Sequence, residues 1–222
     1  MSITENYLKI RQSVPEHVTI VIACKKRTPE EVAEVIEAGA SNLGENYVQE
    51  GEKMFDALGN KAYKPRWHMI GSLQKNKINK ALRIFDTVQT VHSGEQAAAI
   101  DKRAQAVGKK IGIFIEINIG EESAKSGITA EYEAVKSLAE DISKLTNLNL
   151  EGLMTMGPFY GDPEALRPYF RKTKEIFDKL KALNLPDTNL KYLSMGMSDS
   201  YKIAIEEGSN MIRLGTIIFG QR

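Results

Sequence analysis

Short hydrophobic runs alternate with longer amphipathic stretches along the whole chain. The short runs are rich in Val, Ile and Leu, as is typical of parallel strands that are buried on both faces. The longer stretches have apolar residues at helical spacing among mixed charges. The pattern predicts eight strands, at residues 18–25, 41–45, 67–71, 87–91, 111–118, 150–156, 191–196 and 211–216.

Helix signals lie between these strands. Thr28 is a favourable N-cap and Pro29 suits the first helical position, so a helix is expected directly after the first strand. The longest helix is expected at residues 163–183, and an extra helix at residues 2–13, before the first strand. Further helices are expected at residues 28–40, 46–58, 94–108 and 129–145.

A strand followed by a helix, repeated eight times in 222 residues, predicts a (β/α)8 barrel of the TIM type. The extra N-terminal helix precedes the first strand, and we expect residues 1–222 to form a single domain. An open, doubly wound sheet is the alternative, because it uses the same order of strands and helices.

Composition narrows the classes of function. The 30 Lys and Arg residues nearly balance the 29 Asp and Glu residues, so there is no general attraction to nucleic acid or to a membrane surface. Cys24 is the only cysteine and cannot form an intramolecular disulfide. The first residues lack the apolar core of a secretory signal. We therefore expect a cytoplasmic protein.

The ends of the last two predicted strands carry glycines and hydroxyl residues, in SMGMSDSY (194–201) and MIRLGTIIFG (211–220). In barrels of this type, the loops after the seventh and eighth strands often bind phosphate. Glycine lets a ligand approach the backbone, and hydroxyls with N–H groups suit a phosphate. We expect Ser198, Gly215 and Thr216 to form such a site, although ordinary strand-to-helix turns are the alternative.

The first strand ends in two adjacent lysines. Alternation divides this strand into two faces, with Ile20, Ile22, Cys24 and Lys26 on one face and Val21, Ala23 and Lys25 on the other. One lysine therefore points into the barrel, although alternation does not say which. A partly desolvated lysine amine attacks carbonyl groups. A lysine facing a ligand that carries both an aldehyde and a phosphate indicates a pyridoxal phosphate site.

Three further residues belong to the predicted mouth of the barrel. Arg213, two residues before Gly215, can reach the interior and face a pyridine nitrogen, or it can pair with a carboxylate. Asn46 either lies beside the ring or caps the following helix. His68 has no partners at metal-ligand spacing and is interpreted as structural.

Seven motifs occur in order along the chain, namely VIACKKRTP, GENYVQE, WHMIGSLQKNK, ESAKSG, GLMTM, SMGMSDSY and IRLGTIIFG. Together they resemble the pyridoxal phosphate homeostasis proteins, also called the PROSC or YggS family. The resemblance implies a fold type III barrel like the cofactor domain of alanine racemase. It also implies that pyridoxal 5'-phosphate is held as a Schiff base on the lysine that matches Lys26.

The resemblance implies roles for the remaining site residues. The phosphate would contact Ser198, Gly215 and Thr216, Arg213 would face the pyridine nitrogen, and Asn46 would lie near the ring. The family usually has a small or apolar residue before its lysine, whereas Lys25 precedes Lys26 here.

The function implied by the resemblance is that of a cytoplasmic, monomeric carrier that helps to maintain the level of the vitamin B6 cofactor and supplies apo enzymes that need it. Little or no catalysis is expected, because the second domain that brings an opposing tyrosine in alanine racemase has no counterpart in the motifs. A weak amino-acid racemase and a Schiff-base lyase that uses Lys26 on a phosphorylated sugar are the alternatives.

Overall fold

The computed structural model describes residues 2–120, 126–158 and 162–221. Residues 121–125, which include most of the motif ESAKSG, lie outside this part of the chain. The strands are β1 (Thr19–Ala23), β2 (Asn42–Glu45), β3 (Arg66–Met69), β4 (Thr87–Val91), β5 (Ile111–Asn118), β6 (Ile128–Thr129), β7 (Leu148–Thr155), β8 (Thr188–Ser194) and β9 (Met211–Leu214).

The strands form a closed parallel barrel. Their order is β4-β3-β2-β1-β9-β8-β7-β5, and a further pairing of β4 with β5 closes the ring. The two-residue strand β6 pairs with β5 and stands outside the ring of eight. The prediction of a (β/α)8 barrel is confirmed, and the open sheet is wrong because β1 pairs with both β2 and β9 and β4 pairs with β5.

Helices surround the barrel, and the extra N-terminal helix is present. They are α1 (Ile3–Ser13), α2 (Pro29–Glu37), α3 (Val48–Leu58), α4 (Ile78–Ile84), α5 (Gly94–Ala106), α6 (Tyr132–Ser143), α7 (Arg167–Ala182), α8 (Tyr201–Glu206) and α9 (Thr216–Phe219). Short 3-10 helices lie at Gly59–Tyr63, Lys75–Lys77 and Pro163–Leu166.

Two helix starts follow directly from local chemistry. Thr28 caps α2, accepting a hydrogen bond from the backbone N–H of Glu31, and Pro29 is the first helical residue, as predicted. The single helix predicted at residues 163–183 is instead divided into a 3-10 turn and α7. Pro168 in the first turn of α7 explains the division, because proline cannot donate the hydrogen bond that would continue a preceding α-helix.

The hydrophobic core has two parts, on either side of the barrel wall. The outer part, between the strands and the helices, contains Ile20, Ile22 and Cys24 of the first strand segment. The inner part fills the barrel with Val21, Ile70, Phe114, Met154 and Met211, and Ala23 packs against it. The inner face of β1 is therefore the face of Val21 and Ala23, which alternation alone left open, and not the face of Ile20, Ile22 and Cys24 that the match to Lys26 implies.

Two kinds of feature are absent from the described residues. None of their helices is long and apolar enough to cross a membrane. Nowhere in the same ranges do three or more His, Cys, Asp or Glu side chains come together in a way that could hold a metal ion.

Candidate functional site

Arg213 lies inside the barrel, with only 5% of its surface exposed. Its Nη1 donates to the backbone oxygen of Ser194 at 2.9 Å and to Ser194 Oγ at 2.7 Å, and its Nη2 donates to the backbone oxygen of Thr155 at 2.8 Å. These neutral acceptors use three of the five guanidinium donors. No carboxylate of the described residues forms an ion pair with Arg213, so the alternative of such a pair is not found.

Burial lowers the pKa of Arg213 to about 10, although the Glu116 carboxylate acts in the opposite direction. The guanidinium therefore remains charged at neutral pH. Burial likewise raises the pKa of Glu116, while His92 and Arg213 lower it. Glu116 Oε2 has no hydrogen-bond partner among the described residues. The mouth of the barrel thus contains a buried cation whose direct contacts, among the described residues, are all uncharged.

A chain of hydrogen bonds, buried except at Asn42, crosses the barrel and ends at Arg213. Asn42 Oδ1 lies 3.0 Å from His68 Nε2, and Gln89 Nε2 lies 3.0 Å from His68 Nδ1. Gln89 Oε1 accepts a hydrogen bond from Ser194 Oγ at 2.8 Å. Ser194 Oγ in turn accepts a hydrogen bond from Arg213 Nη1. Burial lowers the pKa of His68 to about 3, and Arg66 contributes, so the imidazole is neutral.

The neutral imidazole has one donor and one acceptor, and the neighbouring groups determine which nitrogen carries the proton. Gln89 Nε2 donates to Nδ1, so Nε2 carries the proton and donates to Asn42. The structural interpretation of His68 agrees with this arrangement. Sequence reasoning missed Gln89 and Ser194, because nothing in a strand pattern shows which polar residues meet across a barrel.

Three of the predicted residues come together at the ends of β8 and β9. Ser198 Oγ accepts a hydrogen bond from the backbone N–H of Ile217 at 3.4 Å, which links the turn after β8 to the start of α9. Gly215 occupies the N-cap position of α9 and Thr216 is its first residue. Hydroxyls and backbone N–H groups are therefore concentrated here, as the phosphate prediction requires.

Gly196 determines how the chain leaves β8. Its φ is +95°, and a Cβ at this position would lie 2.6 Å from Ala204 Cβ on α8. Any other residue would be strained and would displace α8. Because Gly196 O also accepts from the backbone N–H of Arg213 at 3.0 Å, this turn is fixed against β9.

The two lysines lie in a turn after β1, which we call the lysine turn (residues 24–27). The Arg27 N–H donates to the backbone oxygen of Cys24 at 3.0 Å and closes it. Lys26 has φ +60°, a left-handed conformation that is uncommon for lysine, and it is exposed. Lys25 is half-buried, and its Nζ lies 5.4 Å from the centre of the ring of Tyr47, the N-cap residue of α3.

That Lys26 holds the cofactor remains a prediction. The position of Lys26 in the structure does not favour this role. The face that Lys26 would continue is the outer one, and the turn directs Lys26 toward solvent. Lys25 follows the inner residues Val21 and Ala23 by alternation.

Asn46 lies at the end of β2, in the loop that leads to α3. It does not cap this helix, because the N-cap is Tyr47 and no side chain supplies the capping hydrogen bond. The Asn46 side chain makes no hydrogen bond within the described part of the chain and is half-buried. A Cβ at Gly71 would lie 2.2 Å from the backbone oxygen of Asn46, so glycine there allows β3 to approach this loop.

A cavity of about 300 Å³ opens beside Arg213, between the ends of β7 and β8. Most of its lining is apolar, and it includes Met156, Leu166, Phe170 and Met197. Among the described residues that line it, Arg213 is the one predicted site residue. The guanidinium therefore adjoins a space that suits an apolar or flat part of a ligand.

Comparison with known proteins identifies the family. The family model described as alanine racemase, N-terminal domain, matches residues 1–222. The pyridoxal phosphate homeostasis protein of Pasteurella multocida (strain Pm70) is 34% identical, over 100% of this chain and 98% of that protein. The protein of the same name from Aquifex aeolicus (strain VF5) is 38% identical, over 90% and 85%. This chain belongs to the pyridoxal phosphate homeostasis protein family.

Solved structures share the fold of this family member. PipY of Synechococcus elongatus PCC7942, solved with pyridoxal phosphate bound, has a TM-score of 0.88 and 27% identity, covering 99% of this chain and 100% of PipY. Alanine racemase of Clostridium difficile 630 has a TM-score of 0.81 and 20% identity, and the match covers 100% of this chain but 57% of the racemase. The racemase likeness shows the barrel fold alone.

Glu45 is a buried carboxyl directly before Asn46, and it points outward beneath α3. It is 1% exposed, and its Oε2 has no partner among the described residues. Burial raises its pKa to about 8, the Glu50 carboxylate adds to this effect, and the Asn46 backbone N–H opposes it. Glu45 is therefore largely protonated below pH 8.

We expect Glu45 to make stability depend on pH. A carboxyl whose folded pKa is raised contributes stability that is full below its unfolded pKa, about 4.5, and is lost as the pH rises through about 8. Glu45→Gln keeps the shape and does not titrate. We expect the free energy of unfolding of the variant, minus that of the wild type, to increase by roughly 3 kcal/mol as the pH rises from about 5 to about 8. Urea denaturation at each pH measures this difference. Glu16→Gln, at an exposed position, is the matched control, and an identical pH dependence of Glu45→Gln and wild type would contradict this expectation.

Proposed function

We propose that this protein binds pyridoxal 5'-phosphate at the carboxyl ends of the barrel strands and helps to maintain the level of this vitamin B6 cofactor, with little or no catalysis of its own. One observation carries the proposal. The buried guanidinium of Arg213 is held by neutral acceptors, and two of its five donors have no partner among the described residues, which leaves them for a ligand.

The donor groups at the mouth fit this cofactor. When bound, pyridoxal phosphate supplies an aldehyde with which a lysine amine condenses, releasing one water. Arg213 can donate to a pyridine nitrogen, and the hydroxyls and N–H groups at Ser198, Gly215 and Thr216 can hold a phosphate. Asn46 offers an amide without a hydrogen-bond partner in the described part of the chain.

Arg213 favours a carrier over an enzyme. A guanidinium has donors and no acceptor, so a pyridine nitrogen facing it accepts a hydrogen bond and stays unprotonated. An unprotonated ring withdraws electrons weakly, and it gives little stabilisation to a carbanion. The chain of hydrogen bonds from Asn42 to Ser194 keeps this guanidinium in one orientation.

We propose Lys25, in place of Lys26, as the lysine that holds the cofactor. Lys25 continues the inner face of β1, whereas Lys26 is exposed in the left-handed position of the lysine turn. The residue before Lys25 is Cys24, which is small, as the resemblance to the family leads one to expect before the cofactor lysine. With Lys25 as the cofactor lysine, the departure from the family pattern in the preceding residue is removed.

The remaining parts of the proposal concern the cellular role. We propose a single-domain, cytoplasmic monomer that supplies apo enzymes with the cofactor. The names of the relatives support a role in homeostasis of the cofactor. A weak amino-acid racemase is the second candidate, because the family model and the barrel are those of alanine racemase.

The lysine assignment predicts where the cofactor becomes attached. Incubation with pyridoxal phosphate should produce a visible absorption band, and borohydride reduction followed by peptide mass mapping should place the label on Lys25. Lys25→Ala should lose the band, and Lys26→Ala, the matched control, should keep it. A label on Lys26 would restore the original assignment, and a wild-type protein that acquires no band would refute the proposed function.

The phosphate assignment predicts weaker retention of the cofactor in the double variant Ser198→Ala, Thr216→Val. Loss of two charge-assisted hydrogen bonds should cost about 2–4 kcal/mol in binding free energy, measured by equilibrium dialysis. The matched control is Ser41→Ala, Thr146→Val, which makes the same changes at the amino ends of strands. Equal retention by the two double variants would remove Ser198 and Thr216 from the site.

The carrier role predicts racemisation near the uncatalysed background. We expect no turnover of alanine or serine in a chiral assay with the cofactor-loaded protein, because Arg213 leaves the ring nitrogen unprotonated. A rate in the range usual for enzymes, on the order of 1–1000 per second, would favour the racemase.

A further inference from the structure

The lysine turn lies directly beside the segment that begins the proposed phosphate site, residues 215–220, which we call the phosphate turn. β1 and β9 are parallel neighbours, with Ile22 opposite Leu214. A Cβ at Gly215 would lie 3.2 Å from the backbone oxygen of Ala23, so the two strands leave the barrel in close contact. The proposed covalent anchor and the proposed phosphate anchor of the cofactor therefore emerge side by side.

Arg27 connects the two turns. Its backbone N–H closes the lysine turn, and its Nη2 donates to the backbone oxygen of Gly220 at 2.6 Å. The guanidinium carbon lies 4.9 Å from the centre of the Phe219 ring, and Nη1 lies 3.3 Å from Glu31 Oε1. Only 8% of the Arg27 side chain is exposed. Arg27 of the lysine turn thus contacts the C-terminal end of the phosphate turn, at Phe219 and Gly220.

The contacts of Arg27 can transmit a displacement from one turn to the other. A charge-assisted hydrogen bond is directional, and a guanidinium over an aromatic face resists rotation when it is mostly buried. Glu31, in the first turn of α2, holds the other side of the guanidinium. A shift of the lysine turn would therefore move Arg27 relative to Gly220 and Phe219.

We propose that Arg27 is a positioning residue that couples the two turns, so that occupation of the phosphate turn improves attachment at the lysine turn. This inference rests on the proposed function, because it concerns the same cofactor. Arg27 acts through the backbone of both turns and is assigned no contact with the ligand. By reciprocity, attachment at the lysine turn improves binding of phosphate by the same factor.

Asn6 provides a matched control within the same segment. Its Nδ2 donates to the backbone oxygen of Ile218 at 3.0 Å and ties the phosphate turn to α1. It does not belong to the lysine turn. Asn6→Ala therefore loosens the phosphate turn and leaves its connection to the lysine turn in place.

The test separates the two halves of the cofactor. Pyridoxal, which lacks the phosphate, is titrated into the protein with and without saturating inorganic phosphate, and chloride keeps the ionic strength constant. Its dissociation constant is read from the visible absorption band of the lysine-bound probe. The coupling is the ratio of the two dissociation constants, measured for wild type, Arg27→Gln, Arg27→Lys and Asn6→Ala.

For the wild type we expect phosphate to tighten pyridoxal binding about five-fold or more. In Arg27→Gln the ratio should fall to about one, while Asn6→Ala keeps the wild-type ratio. Arg27→Lys retains the charge but has one amine in place of the two Nη groups that contact Glu31 and Gly220, so its ratio should also fall. If Arg27→Gln does not fold, Arg27→Lys decides, since a loss of coupling with the charge retained shows an effect of geometry.

Three results would overturn the inference. The first is a ratio of the two dissociation constants equal to one in the wild type. The second is a ratio in the Arg27 variants equal to that of the wild type. The third is a fall of this ratio in Asn6→Ala as large as the fall in the Arg27 variants. A wild-type protein that forms no absorption band with pyridoxal phosphate itself would instead refute the proposed function, so the two failures are distinguishable.

Discussion

The arrangement of the site depends on one constraint, the burial of the Arg213 guanidinium inside a closed barrel. A buried charge is costly unless its donors are satisfied, and here the backbone oxygens of β7 and β8 and the Ser194 hydroxyl satisfy three of them. These acceptors belong to strands that must already be paired in register. The closed ring of strands is therefore what makes a fixed, charged donor available to a ligand at the mouth.

The interior of the barrel is polar along one line and apolar elsewhere. Phe114, Met154 and Met211 exclude water from the centre, and the chain from Asn42 through His68 and Gln89 crosses this apolar filling. Such a network is stable when every member is paired. The low pKa of His68 keeps its imidazole neutral, with one nitrogen as donor and the other as acceptor. The apolar filling and the network together hold Arg213 in one orientation.

A carrier and a racemase can share this barrel because the fold supplies only the scaffold. The barrel brings a lysine, a cation and a hydroxyl-rich turn to one end, and these are the groups that we propose to hold a phosphorylated aldehyde. Turnover needs more, including strong stabilisation of a carbanion, which a protonated ring nitrogen favours, and groups on both faces of the substrate that control proton transfer. In the proposed site Arg213 acts against the first of these, and the proposed role of a carrier rests on this argument.

The sequence by itself determined the eight strands, the order of helices, the Thr28 cap and the presence of Arg213, Ser198, Gly215 and Thr216 at strand ends, because these follow from local pattern and chain order. It could not name the inner face of β1, since strands buried on both faces are apolar on both. Nor could it show the turn that exposes Lys26, or the meeting of Gln89, Ser194 and Arg213, which belong to separate strands. Closure of the barrel decided the inner face and the meeting of these side chains, because it fixes which side of each strand faces the others, and the backbone conformation after β1 decided the exposure of Lys26.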